Sequence, residues 1–237
     1  MSTQYAKTEA NARHLLDGFI ALKERYAFLH PMIFDKGLVA ARGSGQRGRG
    51  FDTLRRSLLL TCIQDIAKFT LDRDRRAPSL ANIASSLEDE AFRDDLRERY
   101  AVWGSIRPDE DQFDDHTVLE ALNKIEARET QTRRIAFDDA YQQFSAQWVA
   151  LKDSPTLLSS IKVRDKVTAH TEIRFENEQY VPFDISTLGI KYGDIKEMID
   201  QVQDLVRLVG FVVRAAAFDW EGLDDQLSKA AYHFWAS

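Results

Sequence analysis

Apolar residues recur at Ala12, Leu15, Leu16, Phe19, Leu22, Tyr26 and Leu29, a spacing that predicts one amphipathic helix over about Tyr5 to Leu29. His30-Pro31 then predicts a break, because the residue before a proline is pushed out of the helical region. "RGSGQRGRG", residues 42–50, reads as a loop on its glycine content, and Leu58, Cys62, Ile66 and Phe69 mark a second helical stripe beyond it. Ser79, directly after Pro78, is placed to cap a third helix running to about Trp103. Pro108 and the acids of 107–115 predict a solvated connection.

From Val118 to Ala150 the pattern reads as one long helix, or two in tandem, with Leu122, Ile125, Phe144 and Trp148 on the buried side. Pro155 suits the first turn of the next helix, and "RFENEQYVPFDIS" further on reads as extended, a short hairpin. The clearest pattern comes last. Ile195, Met198, Ile199, Val202, Leu205, Val206, Val209, Val212, Val213 and Ala216 fall on one stripe between Tyr192 and Trp220, so this helix must pack against others. The fold class is therefore all-α: a helical bundle with additional peripheral helices and a short extended segment. We read residues 1–237 as one domain, with an N-terminal helix and Arg/Gly loop over 1–50 and the bundle core over 51–220.

Composition agrees, since 11 Gly and 5 Pro in 237 residues leave few turns. The single cysteine, Cys62, excludes an intramolecular disulfide and a multi-cysteine zinc cage, and points to a reducing cytoplasm. "MSTQYAKTEANARHLL" lacks the basic-then-apolar pattern of a signal peptide, and "LVRLVGFVVRAAAF" is interrupted by Arg207 and Arg214. A cytoplasmic protein that makes no use of a membrane is expected. The formal charge of −6 excludes a global basic surface, so any contact with nucleic acid must be local. One such cluster exists: Lys36, Arg42, Arg47, Arg49, Arg55 and Arg56 are opposed only by Asp52. The G-x-G-x-x-G spacing within 43–48 has no βαβ setting, which leaves a mobile surface segment or a phosphate-backbone contact. Neither a metal nor a cofactor is expected: His170-Thr171-Glu172 gives H-x-E, but no P-C-x-x-C follows it.

The chemistry concentrates in "SSIKVRDKVTAHTEI", residues 159–173. An Arg a few positions before a His is weak evidence by itself, and Arg25 to His30 repeats the spacing on an apolar helix face. Context separates the two. Arg164 is followed by Asp165, and His170 by Thr171 and Glu172, so a polar segment lies between two strongly packing helices. The plain alternative is a helix C-terminus, with His170 on the last carbonyls and Arg164 paired to a surface acid.

"VRDKVTAHTE" resembles the signature of the HEPN superfamily, an Rx4-6H motif with a polar residue straight after the Arg. With "LRRSLLLTCIQDIAKFTLD" and "SLANIASSL" upstream, the chain is most similar to the abortive-infection branch of AbiU type, over about residues 50–220. That resemblance implies a metal-independent endoribonuclease of a phage-defence or toxin system. The ribose 2′-OH would attack the adjacent phosphate, leaving a 2′,3′-cyclic phosphate and a 5′-OH. His170 would move protons. Arg164 would hold the phosphate and stabilise the charge of the transition state. Asp165 would orient Arg164, with Thr171 and Glu172 in support, while Arg42, Arg47, Arg49 and Lys166 are the candidate RNA contacts.

Six residues of straight α-helix turn about 600°, so Arg164 and His170 would point about 120° apart with about 9 Å of rise between them. The motif works more easily if the helix is distorted near His170, or if two copies meet across a two-fold axis as family dimers do. A homodimer is expected, with an antitoxin or other system protein as a further partner. HEPN toxins modified by a partner nucleotidyltransferase carry a tyrosine shortly after the His. Thr171, Glu172 and Ile173 stand there instead, so that mode of neutralisation is not expected. The alternative function is an inactive HEPN-like scaffold that binds RNA, nucleotide or a protein partner.

Overall fold

The computed structural model describes residues 3–102, 116–169, 173–176, 179–182 and 188–236. The acidic connection anticipated at 107–115 lies outside them. Helix α1 (Thr3–Phe34) packs against α3 (Gln46–Leu71) and α8 (Tyr192–Arg214), and α9 (Trp220–Ala236) also lies on it. Leu15, Phe19, Leu22 and Leu29 of α1 are completely buried, which places this helix in the centre of the hydrophobic core.

Pro31 does not end α1. The helix runs on to Phe34, and the amide of Asp35 still donates to the Pro31 carbonyl at 3.0 Å. An internal proline forfeits a helical hydrogen bond and crowds the previous turn, at a cost of roughly 3 kcal/mol. Here the previous turn offers the small Ala27, and Met32, fully buried beyond the proline, returns roughly 1.5–3 kcal/mol.

The Arg/Gly segment is largely helical, contrary to the loop expected there. Helix α2 (Lys36–Arg42) is capped by Asp35, which accepts from the Leu38 amide at 3.0 Å, and α3 begins at Gln46. The glycines serve the turn between them. Gly43 adopts a φ of 61°, and a Cβ on Gly48 would lie 2.5 Å from the Gly43 carbonyl oxygen. Glycine is needed for close return of the backbone, which composition alone does not distinguish from mobility.

Gly18 has a similar role between α1 and α3, where a Cβ would fall 2.5 Å from the ring of Phe69, itself only 5% exposed. Gly18→Ala is therefore expected to destabilise the protein by about 1–3 kcal/mol through overpacking. A urea midpoint equal to wild type would show that the Phe69 ring moves aside freely.

The third helix is two. Ser79 caps α4 (Leu80–Leu87) as anticipated, accepting from Asn82, but Asp89 then caps a separate α5 (Glu90–Ala101) by accepting from the Phe92 amide at 3.2 Å. Helix α6 (His116–Lys152) is continuous, and only its second half reaches the core. Phe137 and Phe144 are buried, whereas Leu122 and Ile125 are exposed rather than buried as the pattern implied. Its packing against α5 is reinforced by Arg97, which donates to both carboxylate oxygens of Asp138.

Pro155 opens α7 (Pro155–Val163), capped by Ser154. Two short strands follow the motif as a hairpin: β1 (Ile173–Glu176) and β2 (Gln179–Pro182) pair antiparallel, with Ile173 opposite Pro182. In α8 the apolar stripe from Ile195 to Val213 is buried as expected. That helix stops at Arg214, earlier than the pattern suggested. Ala215 turns left-handed at φ 50°, and the amides of Ala215 and Ala216 bond back to Phe211 and Gly210. The break lets α9 fold back onto α1. Phe19 meets Trp220, Lys23 pairs with Asp224 and the Phe28 carbonyl accepts from the Trp235 indole, so the two helices run parallel.

Candidate functional site

The motif segment is positioned by α7. Ser154 accepts from the Leu157 amide at 3.3 Å, Pro155 sets the first turn, and Leu157, Ser160 and Val163 are buried. Burial of Val163 fixes the register of the next residue, Arg164. At Arg164 the winding changes: Arg164–Ala169 is a π-helix, packed against α3 and α7. Such wide turns are rare, cost helical hydrogen-bond geometry and recur at functional sites. A distorted helix near position 170 is one of two arrangements that would ease the motif, and the six residues before that position are π-wound.

Within this segment Arg164 Nε donates to Asp165 Oδ1 at 2.8 Å. The Arg164 side chain is 26% exposed and that of Asp165 53%. An ion pair this open to water contributes at most about 1 kcal/mol. A pair of Arg164 with an exposed acid is what the plain reading of the segment expects, and it is also the contact through which Asp165 would orient the guanidinium. Val167, one turn on, packs against the core and anchors the segment from its other side. Lys166 is half-buried within the same π turn. His170, Thr171 and Glu172 lie outside the described residues.

The basic residues near the start of α3 divide into two sets. Arg47 and Arg49 are exposed in the first turn of α3, which contains no acid, and its N-cap, Gly45, supplies no side-chain hydrogen bond. The positive end of the helix dipole and two guanidinium groups therefore coincide there. Arg42 goes elsewhere. Its guanidinium stacks over the Trp235 ring at 5.5 Å, in a cleft that Arg164, Asp165 and Lys166 do not line.

The other Arg-to-His spacing is divided between two structural roles. Arg25 Nη1 donates to Asp65 at 2.7 Å, linking α1 to α3, while His30 lies tilted against Phe34 and meets Tyr26 edge-on. Burial raises the pKa of Asp65 and the paired Arg25 opposes the shift. Cys62 is completely buried, and burial, with Asp65 nearby, pushes its thiol up to about 12. It is a core residue with no nucleophilic character.

Sequence reasoning missed one feature, a cleft of about 860 Å³ between α1, α2, α8 and α9. The aromatic run "AYHFWA" near the C-terminus was the available signal, but its meaning depends on four helices far apart in sequence. Among the described residues no group of three His, Cys, Asp or Glu side chains is placed to hold a metal, and no helix is long and apolar enough to cross a membrane.

These features define a class: an all-α bundle whose motif helix becomes π-wound at an Arg-Asp pair, followed by a short hairpin and a long apolar helix. Residues 5–234 match the HEPN_AbiU2 family model, described as AbiU2. The chain belongs to this family, and so to the abortive-infection HEPN-type proteins. No curated protein and no solved structure matches it.

Proposed function

We propose that the protein is a metal-independent endoribonuclease of a phage-defence or toxin system, acting through Arg164 and His170. The observation that carries this reading is the π-wound Arg164–Ala169 segment, with Arg164 oriented by Asp165, at the Rx4-6H stretch of a chain that belongs to the HEPN_AbiU2 family. The 2′-OH attacks the adjacent phosphorus as its proton is removed, and the P–O5′ bond breaks as the leaving oxygen is protonated. His170 moves these protons, since an imidazole titrates near neutral pH. Arg164 binds two non-bridging oxygens and stabilises the charge that builds on them. Thr171 and Glu172 support His170.

The active unit is a homodimer in which two motif segments face one another, and an antitoxin or other system protein restrains it. Cleavage by a protein that sediments strictly as a monomer would remove the dimer from this scheme. The direct test of the activity is digestion of a mixed RNA pool by wild type and by His170→Ala. Cutting that disappears in the variant supports the nuclease, whereas RNA that is bound but never cut by folded, dimeric wild type points to a scaffold.

Arg47 and Arg49, at the positive end of α3, and Lys166 beside Arg164 contact the RNA backbone. The double variant Arg47→Gln, Arg49→Gln is expected to lose about two units of the salt slope of RNA binding, with the fold intact. Affinity equal to wild type at low salt would exclude these residues from the interface.

A further inference from the structure

The cleft between α1, α2, α8 and α9 is separate from the motif and is not explained by it. Its volume of about 860 Å³ suits a small molecule, for which sites of roughly 300–1,000 Å³ are usual. Helix α9 is pinned to α1 at both ends, by Trp220 on Phe19 and by the Trp235 indole on the Phe28 carbonyl at 3.1 Å. The α9 wall of the cleft is therefore anchored to α1.

The charges lining it leave one cation without an acid. Lys23 pairs with Asp224 at 2.6 Å, Lys196 with Asp200, and Asp35 is engaged in capping α2. Arg42 has the Trp235 ring as its neighbour and, among the described residues, no carboxylate, and its Nε is buried without a hydrogen-bond partner. A second polar atom, Oη of Tyr26 on α1, is buried and unpartnered. Burial, then the charge of Asp200, pushes that phenol up to about 12, so it remains a donor at neutral pH. His30 is held below its ordinary pKa, first by burial and then by Lys196, and adds a hydrogen-bonding group without a charge. Tyr232 and Trp235, the latter beside Arg42, supply aromatic surface to the cleft.

An anion beside Arg42 supplies the charged partner that the described lining does not. We propose that this cleft binds a small molecule made of an aromatic ring and one anionic group, carboxylate or phosphate, with the anion on Arg42 and the ring against Tyr232 and Trp235. A neutral ligand leaves Arg42 uncompensated. A polyanion such as RNA meets no net positive charge there, because Lys23, Arg42 and Lys196 are matched by Asp35, Asp200 and Asp224 around the same opening.

The test is calorimetric titration of the full chain with phenyl phosphate, benzoate and inorganic phosphate. One-to-one binding of phenyl phosphate, benzoate or both is expected, and which of the two binds identifies the anion. Inorganic phosphate should bind at least about tenfold more weakly, because the ring contact is absent. Arg42→Gln should weaken binding by about tenfold or more. Ser228→Trp, which adds bulk at an exposed lining position without altering a charge, should block binding while circular dichroism and melting stay as in wild type. Arg13→Gln, outside the cleft, and His170→Ala should bind as wild type, so the outcome does not depend on the nuclease reading. Failure of both aromatic anions to bind, inorganic phosphate binding equally well, unchanged affinity in Ser228→Trp, or displacement of the ligand by an oligoribonucleotide would each overturn the proposal.

Discussion

Arg164→Ala is expected to lower single-turnover RNA cleavage by roughly 10²–10³-fold, the usual consequence of removing one preorganised donor from a developing charge. RNA affinity should change far less, because most binding energy comes from the many backbone phosphates. Arg164→Lys should recover little of the rate, since an ammonium point charge cannot reproduce two parallel hydrogen bonds in one plane. Asp165→Asn should fall between Arg164→Ala and wild type, because the 2.8 Å bond from Arg164 Nε is weakened rather than removed. A loss of affinity in Arg164→Ala with the chemical rate intact would mean that this arginine holds the ground state only.

Phe19→Ala should produce the largest loss of stability. The ring is completely buried at the centre of α1 and meets Trp220 edge-on at 5.6 Å, where it fastens the start of α9. Truncation leaves a cavity in the core beside Trp220, with a cost of about 3–5 kcal/mol. The urea midpoint should fall accordingly, and the fluorescence of Trp220 should report release of α9 before the main transition. A loss below about 1 kcal/mol would contradict the central position assigned to α1.

The residues that were legible in the sequence are those whose surroundings are local. The stripe from Ile195 to Val213 had to be buried, because a helix so apolar on one face has no other stable arrangement. Ser79 and Pro155 marked helix starts through capping chemistry that acts within one turn. The contact of Arg164 with Asp165 is local in the same way, between adjacent residues. The hairpin after the motif could be read from the composition of 174–186, whose register the structure supplies.

What was not legible depends on tertiary packing. Pro31 stays helical because Met32 beyond it is buried, and burial is not visible from a proline and its neighbours. Leu122 and Ile125 looked like core because their spacing is helical. Only the packing of α6 shows that its first half extends beyond the neighbours that bury Phe137 and Phe144. Gly43 and Gly48 looked like flexible chain, whereas their shared contact is a tight turn. Geometry left open a distorted motif helix or a two-fold pairing of motifs, and the kind of distortion, π winding over Arg164–Ala169, was not visible in the sequence. The cleft at Arg42 combines residues from both ends of the chain, and no local pattern announces that.

The most direct test of the central claim is the chemistry of the cut ends. Wild-type protein is incubated with a defined RNA in EDTA, and the termini of the fragments are identified by mass spectrometry. Attack by the 2′-OH under the control of Arg164 and His170 leaves a 2′,3′-cyclic phosphate on one fragment and a 5′-OH on the other, without added metal. Fragments ending in 3′-OH and 5′-phosphate, formed only when a divalent metal is restored, would contradict it.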